Sequence, residues 1–500
     1  MHLAQQFEQV TCSQPFSHLG VIASQQGAML RVWCPDASEV TIKWENSALA
    51  DRVIKSDNAN GLFEASLPAE YNGEIYRVVA NKGRGDNGYI DPYQFTEQAY
   101  HAVHYIDSTP ANLYEQAGAQ LIDISTPQGK TVSGVRFCVF APNASAVSLI
   151  GDFNQWDGRT HPMEKTSMGY WVLFVPELTE GERYKYHIKD DNGHDLPHKA
   201  DPLGFCAEQY PSHASKIYNH RSYQWSDSDW MENRKGDKYA SPMSIYEVHL
   251  GSWKRPDAAT EARYLTYKEL ADDLIGYVSD MGYTHVELLP ISEFPFDGSW
   301  GYQPVGMFAP TSRFGNPDDF KYFVDKCHQA GVGVIIDWVP AHFPEDGHGL
   351  ARFDGSCVYE YEDPRKGWHP DWNSCIYDFG KDTVRQFLVA NALYWLDKFH
   401  VDGLRVDAVA SMLYLDYSRN EGEWIPNVDG GNENYEAISL LKWMNEEVYK
   451  HFPDAMTIAE ESTSFPKVSR PVFDGGLGFG FKWNMGWMHD SLHYIAKDPA

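Results

Sequence analysis

Carboxylic acids stand at or near the ends of three short apolar runs in the second half of the chain. The three carboxylates are Asp337, Asp407 and Glu460. The ends of strands are where α/β proteins place their sites, so acids from different strands of one sheet can meet there. One carboxylate acting as a nucleophile and another acting as an acid/base is the arrangement that cleaves a glycosidic bond.

Each of the three acids also has a purely structural interpretation. Asp337 can cap the loop that follows its strand, Asp407 can belong to a structural ion pair, and Glu460 can stand at a solvated strand end. Local departures from structural rules are nevertheless expected at functional sites, and two acids at one strand end are unfavourable by propensity. The set of three therefore favours a site over three unrelated structural acids.

Two of the acids have neighbours that define their directions. Arg405 and Asp407 are two residues apart, so a strand points both side chains to one face. Opposite charges facing the inside of a parallel sheet must be paired, and Arg405 would keep Asp407 ionised as a nucleophile requires. Glu460 continues the face of Ile458, whereas the adjacent Glu461 points the other way. We also expect Arg405 to lower the pKa of Asp407.

The elements that must position these residues begin at Met243, where short apolar runs alternate with helical patterns. The runs are Ser244–His249, Thr284–Leu289, Val332–Val339, Gly403–Asp407, Met456–Glu460 and a weaker Phe479–Trp483. The helices are predicted at Tyr267–Met281 behind the cap Thr266, after Asn316-Pro317 up to Gly331, and at Asp382–Phe399. Repeated strand–helix units predict a parallel sheet, either doubly wound or closed as an eight-stranded barrel.

Two further features of this half bear on function. The segment 340–381 is long and rich in Gly, Pro, His and Trp, and such loops are uncommon unless they are functional. The glycine-rich stretch Gly475–Gly480 does not lie between a strand and a helix, so it does not indicate a phosphate-binding loop.

The first 220 residues contain an internal repeat. RVWCPDASEVTI at 31–42 matches CVFAPNASAVSL at 138–149, with Val32 answering Val139 at an offset of 107 residues. The register continues with a small drift, so that Tyr76 answers Tyr184 and Asp91 answers Asp201. Alternating apolar and polar residues with turns every 8–12 positions predict two tandem β-sandwiches, joined by a linker at 116–130.

Composition excludes several classes of partner. The net charge of −29 disfavours nucleic acid and anionic membrane surfaces, which attract basic proteins. The seven cysteines are scattered without a CxxC pair, so we expect neither a disulfide framework nor a zinc site, and we expect a cytoplasmic location. An apolar run long enough to span a membrane is missing, and so is a secretory signal at the start. Aromatic residues make up 14% of the chain, which suits a sugar ligand.

The motifs around these residues resemble bacterial 1,4-α-glucan (glycogen) branching enzymes of the α-amylase superfamily. The resemblance covers nearly the whole chain and rests on long strings. These are DWVPAHF at 337–343, LRVDAVASMLY at 404–414, IAEEST at 458–463, YEVHLGSW at 246–253, DGSWGYQPVGMFAPTSRFG at 297–315, HPDWNSCIYDFG at 369–380, DYSRNEGEWIPN at 416–427 and GDFNQW at 151–156.

The resemblance implies a fold and its boundaries. It implies two N-terminal immunoglobulin-like β-sandwiches, at 1–118 and at 130–228, the second being a carbohydrate-binding module. A catalytic α/β TIM barrel with the loop subdomain 340–381 would follow at 240–500. The family pattern continues beyond Ala500 with two more barrel strands, a fourth motif and a C-terminal β-domain. We therefore expect an incomplete barrel of about six of its eight strands, and either a piece of a longer protein or a chain without branching activity.

The resemblance also implies roles for individual residues. Asp407 would be the nucleophile that forms a β-glucosyl-enzyme, Glu460 the general acid/base, and Arg405 the group that orients Asp407. Asp337 and His342 would bind the sugar at the cleavage point, and Tyr302 would stack under it. The reaction would move a piece of an α-1,4-glucan, such as amylose or glycogen, onto a 6-hydroxyl. No metal or organic cofactor is implied, and we expect a monomer.

Two other functions stay open at this point. One is hydrolysis by an amylase or debranching enzyme of the same fold, and the other is glucan binding without catalysis. A branching enzyme retains configuration through a covalent intermediate, so we expect the carboxyl groups of Asp407 and Glu460 to be about 5–5.5 Å apart rather than about 6.5–9.5 Å.

Overall fold

The computed structural model describes residues 3–24, 27–45, 49–55, 60–81, 88–101, 103–106, 109–234, 236, 238–256 and 263–498. Met1 and Ala500, the outer limits of the expected domains, lie outside the described residues. The chain divides into two units. The first unit comprises Met1–Glu208, Ser212–Asn219 and Arg352–Val358, and the second comprises Gln209–Pro211, His220–Ala351 and Tyr359–Ala500.

The first half of unit one is built from two small antiparallel sheets, ordered β1-β2-β5 and β4-β3-β6-β7. The strands are β1 (Gly20–Ser24), β2 (Gly27–Trp33), β3 (Glu39–Trp44), β4 (Arg52–Lys55), β5 (Leu62–Ser66), β6 (Tyr76–Ala80) and β7 (Tyr89–Ile90). The helices are α1 (Leu3–Glu8), α2 (Thr96–Tyr100) and α3 (Pro110–Gln116). In β3 every second residue is fully buried, so its alternating sequence fills one core with Val40, Ile42 and Trp44.

The second half of unit one repeats this plan with sheets ordered β10-β13-β15-β14 and β11-β12-β9-β8. The strands are β8 (Gly118–Ser125), β9 (Thr131–Phe140), β10 (Ala146–Gly151), β11 (Glu164–Lys165), β12 (Tyr170–Pro176), β13 (Arg183–Lys189), β14 (Cys206–Ala207) and β15 (Ser215–Lys216). Large side chains such as Phe137, Trp171 and Tyr184 are almost wholly buried between the two sheets.

The strand pairing confirms the predicted repeat. Val32 on β2 pairs with Phe63 on β5, and its counterpart Val139 on β9 pairs with Trp171 on β12. The same equivalence holds in the other sheets, where Trp44 pairs with Tyr76 and Gly151 pairs with Tyr184. The central strand pairs of the two halves therefore share their register, whereas the edge strands of the sheets differ.

Each half also buries one acid that accepts a hydrogen bond from a tyrosine at the equivalent place, and in the second half the Tyr186 hydroxyl donates to the same acid over 3.0 Å. The Tyr76 hydroxyl donates to Asp91 Oδ2, and the Tyr184 hydroxyl donates to Asp201 Oδ2 over 2.7 Å. Burial raises the pKa of both Asp91 and Asp201 to about 6, and the tyrosine hydrogen bonds only partly offset that cost. The repeat thus preserves a buried carboxyl as well as a backbone.

The linker interpretation of residues 116–130 is wrong. Gly118–Ser125 is an eight-residue strand that pairs along its whole length with β9, from Gly118 opposite Cys138 to Ser125 opposite Thr131. The strand lies at the edge of its sheet and carries polar residues such as Gln120 and Asp123. Its composition therefore resembles a connection, whereas its backbone hydrogen bonds belong to the sheet β11-β12-β9-β8.

Unit two is organised around one six-stranded parallel sheet, ordered β16-β17-β20-β24-β25-β26. Its strands and their neighbours are β16 (Ile245–Val248), β17 (His285–Leu288), β18 (Ser292–Glu293), β19 (Gly306–Pro310), β20 (Gly333–Trp338), β21 (His342–Phe343), β22 (Trp368–His369), β23 (Ser374–Ile376), β24 (Gly403–Val406), β25 (Met456–Ala459) and β26 (Phe481–Lys482).

The helices of unit two cover this sheet and its connections. They are α4 (Ser228–Asn233), α5 (Leu250–Trp253), α6 (Tyr267–Asp280), α7 (Pro317–Gln329), α8 (Pro364–Gly367), α9 (Asp382–Phe399), α10 (Val409–Leu413), α11 (Tyr435–His451) and α12 (Met485–Ile495). Among the described residues, no helix has both the length and the apolar character needed to cross a lipid bilayer.

All six predicted apolar runs form strands of this sheet, within one or two residues of the predicted limits. Each strand of this sheet pairs with the strand of the same sheet that precedes it in the sequence. Among the described residues, the strand order therefore runs in one direction without a reversal. A doubly wound sheet needs such a reversal at its switch point, whereas a barrel sheet does not. The order therefore favours the barrel over the doubly wound alternative.

The predicted helix starts are confirmed by their capping bonds. Thr266 Oγ1 accepts from the Glu269 amide, and Glu269 Oε2 accepts from the Thr266 amide over 2.8 Å. Asn316 and Asp319 form the same reciprocal pair at the start of α7. These capping boxes are local chemistry, which explains why the sequence alone located both helices.

The segment 340–381 holds a small sheet of its own, ordered β21-β23-β22, together with α8. Its central part, Arg352–Val358, belongs to unit one rather than unit two. There the Asn143 amide donates to Asp354 Oδ2 over 2.7 Å. The segment is therefore structured, and it runs from the end of β20 to the start of α9.

Asp201 provides a test of the buried acids of the repeat. Its folded pKa of about 6 lies above the ordinary value, so the protonated carboxyl favours folding at low pH and this contribution is lost as pH rises through about 6. Asp201→Asn stays neutral, so its melting temperature relative to wild type should be higher at about pH 8 than at about pH 5. Between these two pH values the difference corresponds to about 1.4 kcal/mol, since roughly one pH unit of the titration falls within that window.

Asp91→Asn should behave in the same way because the two sites are equivalent. Asp191→Asn, at an exposed position, is the control and should show no pH-dependent difference. Thermal unfolding followed by circular dichroism gives the measurement. Equal differences at both pH values for Asp201→Asn would contradict the assignment of a raised pKa.

Candidate active site

The predicted site residues meet at the carboxyl ends of three adjacent parallel strands. Asp337 on β20 lies in register with Arg405 on β24, and Asp407 and Glu460 follow directly after β24 and β25. Because side chains two apart share a face, Arg405, Asp407 and Glu460 point to the same side as Asp337. The three acids therefore converge from different parts of the sequence.

Arg405 links two of these acids through one nitrogen. Its Nη1 donates to Asp337 Oδ1 over 2.7 Å and to Asp407 Oδ1 over 2.6 Å. The guanidinium is mostly buried, with 13% of its side chain exposed. The predicted pairing of Arg405 with Asp407 is confirmed, and Asp337 shares the same cation.

A tight turn after β24 ties the third acid to the other two. The Asp407 amide donates to the Trp338 carbonyl over 2.9 Å, which continues the sheet bonding past Val406. Ala408 then adopts a left-handed conformation with φ +54°, and its amide donates to Glu460 Oε2 over 2.9 Å. A non-glycine residue in this conformation is strained, and such strain is concentrated at functional sites.

Arg405 lowers the pKa of Asp407 as expected, but other effects set the net shift of this carboxyl. Burial, with a smaller contribution from the negative charge of Glu460, raises the pKa of Asp407 to about 6. Arg405 does act in the expected direction, but it offsets only part of the cost of removing the carboxylate from water. Asp407 is therefore ionised at neutral pH and protonated in mildly acidic solution.

Asp337 is held at both of its oxygens. The Tyr302 hydroxyl donates to Oδ2 over 2.7 Å, while Arg405 occupies Oδ1. Burial raises the pKa of Asp337 well above its usual range, and the positive charge of Arg405 opposes that rise. Tyr302, expected to lie beneath a sugar ring, thus also fixes the orientation of this acid.

His342 lies within a cluster of rings from the structured segment 340–381. Its ring centroid is 4.9 Å from that of Trp372 and 5.9 Å from that of His369, and the last two are 4.2 Å apart. Burial lowers the pKa of His342 to about 3 and that of His369 to about 4, so both rings are neutral at physiological pH. Within the described chain, His342 Nδ1 and both ring nitrogens of His369 have no hydrogen-bond partner.

Three residues of this ring cluster were not predicted as site residues: His369, Trp372 and Tyr417. Tyr417 approaches the other two, with centroids 6.0 Å and 5.9 Å away. The negative charges of Glu460 and Asp407 contribute to raising the pKa of Tyr417. All three lie in strings that carry the family resemblance, which was the one sequence signal that could have identified them.

Glu461, the neighbour of Glu460, has a different environment. Its side chain is wholly buried, and Lys482 Nζ lies 2.7 Å from its Oε2. The Thr463 amide donates to its Oε1 over 2.7 Å. The two adjacent acids thus separate as predicted, with Glu460 beside the other site acids and Glu461 in an internal ion pair.

Among the residues that the structure describes, no group of three His, Cys, Asp or Glu side chains is arranged to hold a metal ion. The donors that do converge are carboxylates around a guanidinium, together with neutral imidazoles and aromatic rings. This set suits a neutral ligand that carries many hydroxyl groups.

Comparison with protein families assigns a class to each part of the chain. Residues 268–372 match the family described as alpha amylase, catalytic domain. Residues 125–204 match carbohydrate-binding module 48 (isoamylase N-terminal domain), and residues 3–93 match the N-terminal domain of alpha-1,4-glucan branching enzyme GlgB. The chain is therefore an α-amylase-type catalytic domain preceded by two N-terminal domains.

Comparison with individual proteins narrows this class. The chain is 67% identical over 500 residues to 1,4-alpha-glucan branching enzyme GlgB of Pseudoalteromonas atlantica, covering 100% of this chain and 69% of that protein. It is 57% identical to the GlgB of Vibrio cholerae, with 99% and 67% covered, and 54% identical to that of Aliivibrio fischeri, with 99% and 68% covered. The chain belongs to the GlgB family of 1,4-alpha-glucan branching enzymes.

The adjacent acids Glu460 and Glu461 should differ in their effect on stability. Glu461→Gln removes the buried negative partner of Lys482, so we expect it to lower the free energy of unfolding by about 1–3 kcal/mol. Glu460→Gln keeps an acceptor for the Ala408 amide, so we expect a loss of less than about 1 kcal/mol.

Melting temperatures of the two variants and the wild type give the comparison. Lys482→Met is a matched variant for the ion pair and should resemble Glu461→Gln. Equal melting temperatures for Glu460→Gln and Glu461→Gln would contradict the separate environments of the two acids.

Proposed function

We propose that the protein is a 1,4-α-glucan branching enzyme of glycogen synthesis. It cleaves an α-1,4-glucan and transfers the released segment to a 6-hydroxyl of glucan, which creates an α-1,6 branch. The observation that carries this proposal is the 67% identity to a branching enzyme over all 500 residues. The convergence of Asp337, Arg405, Asp407 and Glu460 on one sheet end supports it.

The reaction proceeds by double displacement. Asp407 attacks the anomeric carbon while Glu460 donates a proton to the leaving glycosidic oxygen, and a β-glucosyl ester of Asp407 forms. The 6-hydroxyl of the acceptor then attacks the same carbon and gives its proton to Glu460, which frees Asp407. Two inversions restore the α configuration.

The contacts of Asp407 support its role as nucleophile. Arg405 Nη1 donates to Oδ1, so we assign the attack to Oδ2. Arg405 balances the negative charge before attack, and its bond orients the carboxylate toward the cleft. Glu460 is fixed by the Ala408 amide, which places the proton donor on the strand next to the nucleophile.

The ring cluster and Asp337 bind the sugar at the cleavage point. Asp337, His342 and Tyr302 contact the donor glucose, and His369, Trp372 and Tyr417 extend this surface. Neutral imidazoles can both donate to and accept from hydroxyl groups, and aromatic faces stack on the apolar face of a pyranose. Unpartnered buried nitrogens gain their hydrogen bonds only when a ligand or water fills the cleft.

The finer fold and setting are part of the same proposal. The six parallel strands at 240–500 are six of the eight strands of a (β/α) barrel, and the two repeats at 1–118 and 130–228 are immunoglobulin-like sandwiches. The protein acts in the cytoplasm as a monomer on glycogen or amylose. It uses no metal or organic cofactor and binds neither nucleic acid nor membrane.

An iodine-stain assay with amylose, run beside a reducing-end assay, tests the proposed function. Branching shifts the colour of the iodine complex without releasing reducing ends. Release of reducing ends with the colour change would indicate a hydrolase, and binding without either change would indicate a glucan-binding protein. Either of these two results would overturn the proposal.

Asp407→Asn should abolish branching while glucan binding persists. The amide keeps the size of the side chain but cannot form the ester, so we expect a loss on the order of 10⁴-fold or more in rate. The iodine assay measures the rate, and affinity electrophoresis in glycogen measures binding. Asp280→Asn, on the exposed end of α6, is the control and should keep wild-type activity. Normal activity in Asp407→Asn would remove this residue from the nucleophile role.

The retaining mechanism also sets a distance. In a crystal structure of the protein with a bound maltooligosaccharide, the carboxyl groups of Asp407 and Glu460 should be about 5–5.5 Å apart. No water then fits between them, so the nucleophile must be the protein. A separation of about 6.5 Å or more in an ordered cleft would instead indicate single displacement by water.

A further inference from the structure

A carboxyl group without an assigned role lies beneath the site. Glu287, the third residue of β17, is in register with Ile335 on β20, two residues before Asp337. Its side chain therefore points to the same face as Asp337 and Arg405, one inward-facing layer deeper. Only 2% of Glu287 is exposed, so a glucan in the cleft cannot reach it.

Glu287 approaches Arg405 on the side away from the two aspartates. Glu287 Oε1 is 3.9 Å from Arg405 Nε, which is within ion-pair range but too far for a hydrogen bond. In the part of the chain that the structure describes, Arg405 Nε and Glu287 Oε2 both lack a hydrogen-bond partner. Buried polar atoms almost always form hydrogen bonds, so Arg405 Nε and Glu287 Oε2 each keep an unused hydrogen-bonding capacity.

The charges around Glu287 come from every strand beside it. Glu247 is in register on β16, Arg405 approaches from β24, Asp337 follows Ile335 on β20, and His285 lies two residues earlier on its own strand. Burial and, to a smaller extent, the like charge of Glu247 raise the pKa of Glu287 to about 7 against the opposing charge of Arg405. Glu287 therefore changes charge near neutral pH.

We propose that Glu287 is a positioning residue that controls how Arg405 is shared between Asp337 and Asp407. The inference rests on the proposed function, because it concerns the nucleophile of that reaction. When Glu287 is protonated, Arg405 serves the two aspartates alone. When Glu287 is ionised, it becomes a third carboxylate competing for the same guanidinium, and it draws Nε inward, away from the reacting carboxylate.

The kinetic consequence is a pH dependence that a structural residue would not produce. Below about pH 6 the rate falls because Asp407 takes up a proton, and Glu287→Gln should leave this fall in place. Above about pH 7 the wild type carries the extra charge and the variant does not. The ratio of kcat in Glu287→Gln to kcat in wild type should therefore rise roughly threefold or more between about pH 6 and about pH 8, with KM unchanged.

Glu247→Gln is the matched variant. It removes the like charge that raises the pKa of Glu287 but leaves Glu287 in place, so the ionisation should persist and move to lower pH. Glu247 is exposed, so Glu247→Gln tests the coupling between the charge of Glu287 and Arg405 even where Glu287→Gln folds poorly. An unchanged pH profile in Glu247→Gln, or a constant kcat ratio in Glu287→Gln, would overturn the proposal.

Infrared difference spectroscopy gives a readout independent of turnover. The wild-type protein should show a buried carboxyl that ionises near pH 7, and Glu287→Gln should lose it. A spectrum without that transition, or one that Glu287→Gln leaves intact, overturns the inference about Glu287. Failure of the wild type to branch amylose would instead overturn the proposed function, while the infrared titration still tests the coupling of Glu287.

Discussion

The site depends on one guanidinium. Arg405 reaches the oxygens of Asp337 and Asp407 with a single nitrogen, and it can do so because the two strands that carry Asp337 and Arg405 run side by side in register. A buried cation between carboxylates is costly unless the sheet fixes every partner in place, since the penalty for desolvating each charge is recovered only by close contacts. The parallel sheet is therefore a precondition of the electrostatics, and helices such as α7 and α9 matter because they keep those strands aligned.

Much of the fold was predictable because its signals are local. The six parallel strands appeared as apolar runs, and α6 and α7 began at capping boxes whose hydrogen bonds span only three residues. The repeat was visible because register is preserved in the chain, and the pairing of Val32 and Val139 with equivalent partners follows from it. The strand Gly118–Ser125 was missed because an edge strand with polar residues gains its identity from backbone bonds to β9, which the local sequence does not reveal.

The features of the candidate site were likewise predictable where they depend on local sequence and unpredictable where they depend on the folded surroundings. Residue types and spacing placed Arg405 beside Asp407 and separated Glu460 from Glu461, because alternation along a strand is a property of the backbone. The net pKa shift of Asp407 could not be predicted. It depends on the balance between the cost of burying the carboxylate and its stabilisation by the positive charge of Arg405, and both depend on the three-dimensional surroundings. The rings of His369, Trp372 and Tyr417 could not be grouped by spacing rules, because His369 lies on the two-residue strand β22 and the other two lie on turns. Only the folded chain brings them together.

The matching registers of the two N-terminal repeats have a consequence for how the chain folds. Strands β2 and β5 pair in the same register as strands β9 and β12. A strand of one repeat that paired with a strand of the other would therefore form the same backbone hydrogen bonds. Tandem domains of similar structure are prone to such misassembly while both are still unfolded. Divergence of side chains at equivalent positions, such as Phe63 against Trp171 and Trp44 against Gly151, makes the exchanged cores overpacked or hollow. Different side chains at such equivalent core positions thus favour correct pairing during folding, quite apart from any difference in what the two domains bind.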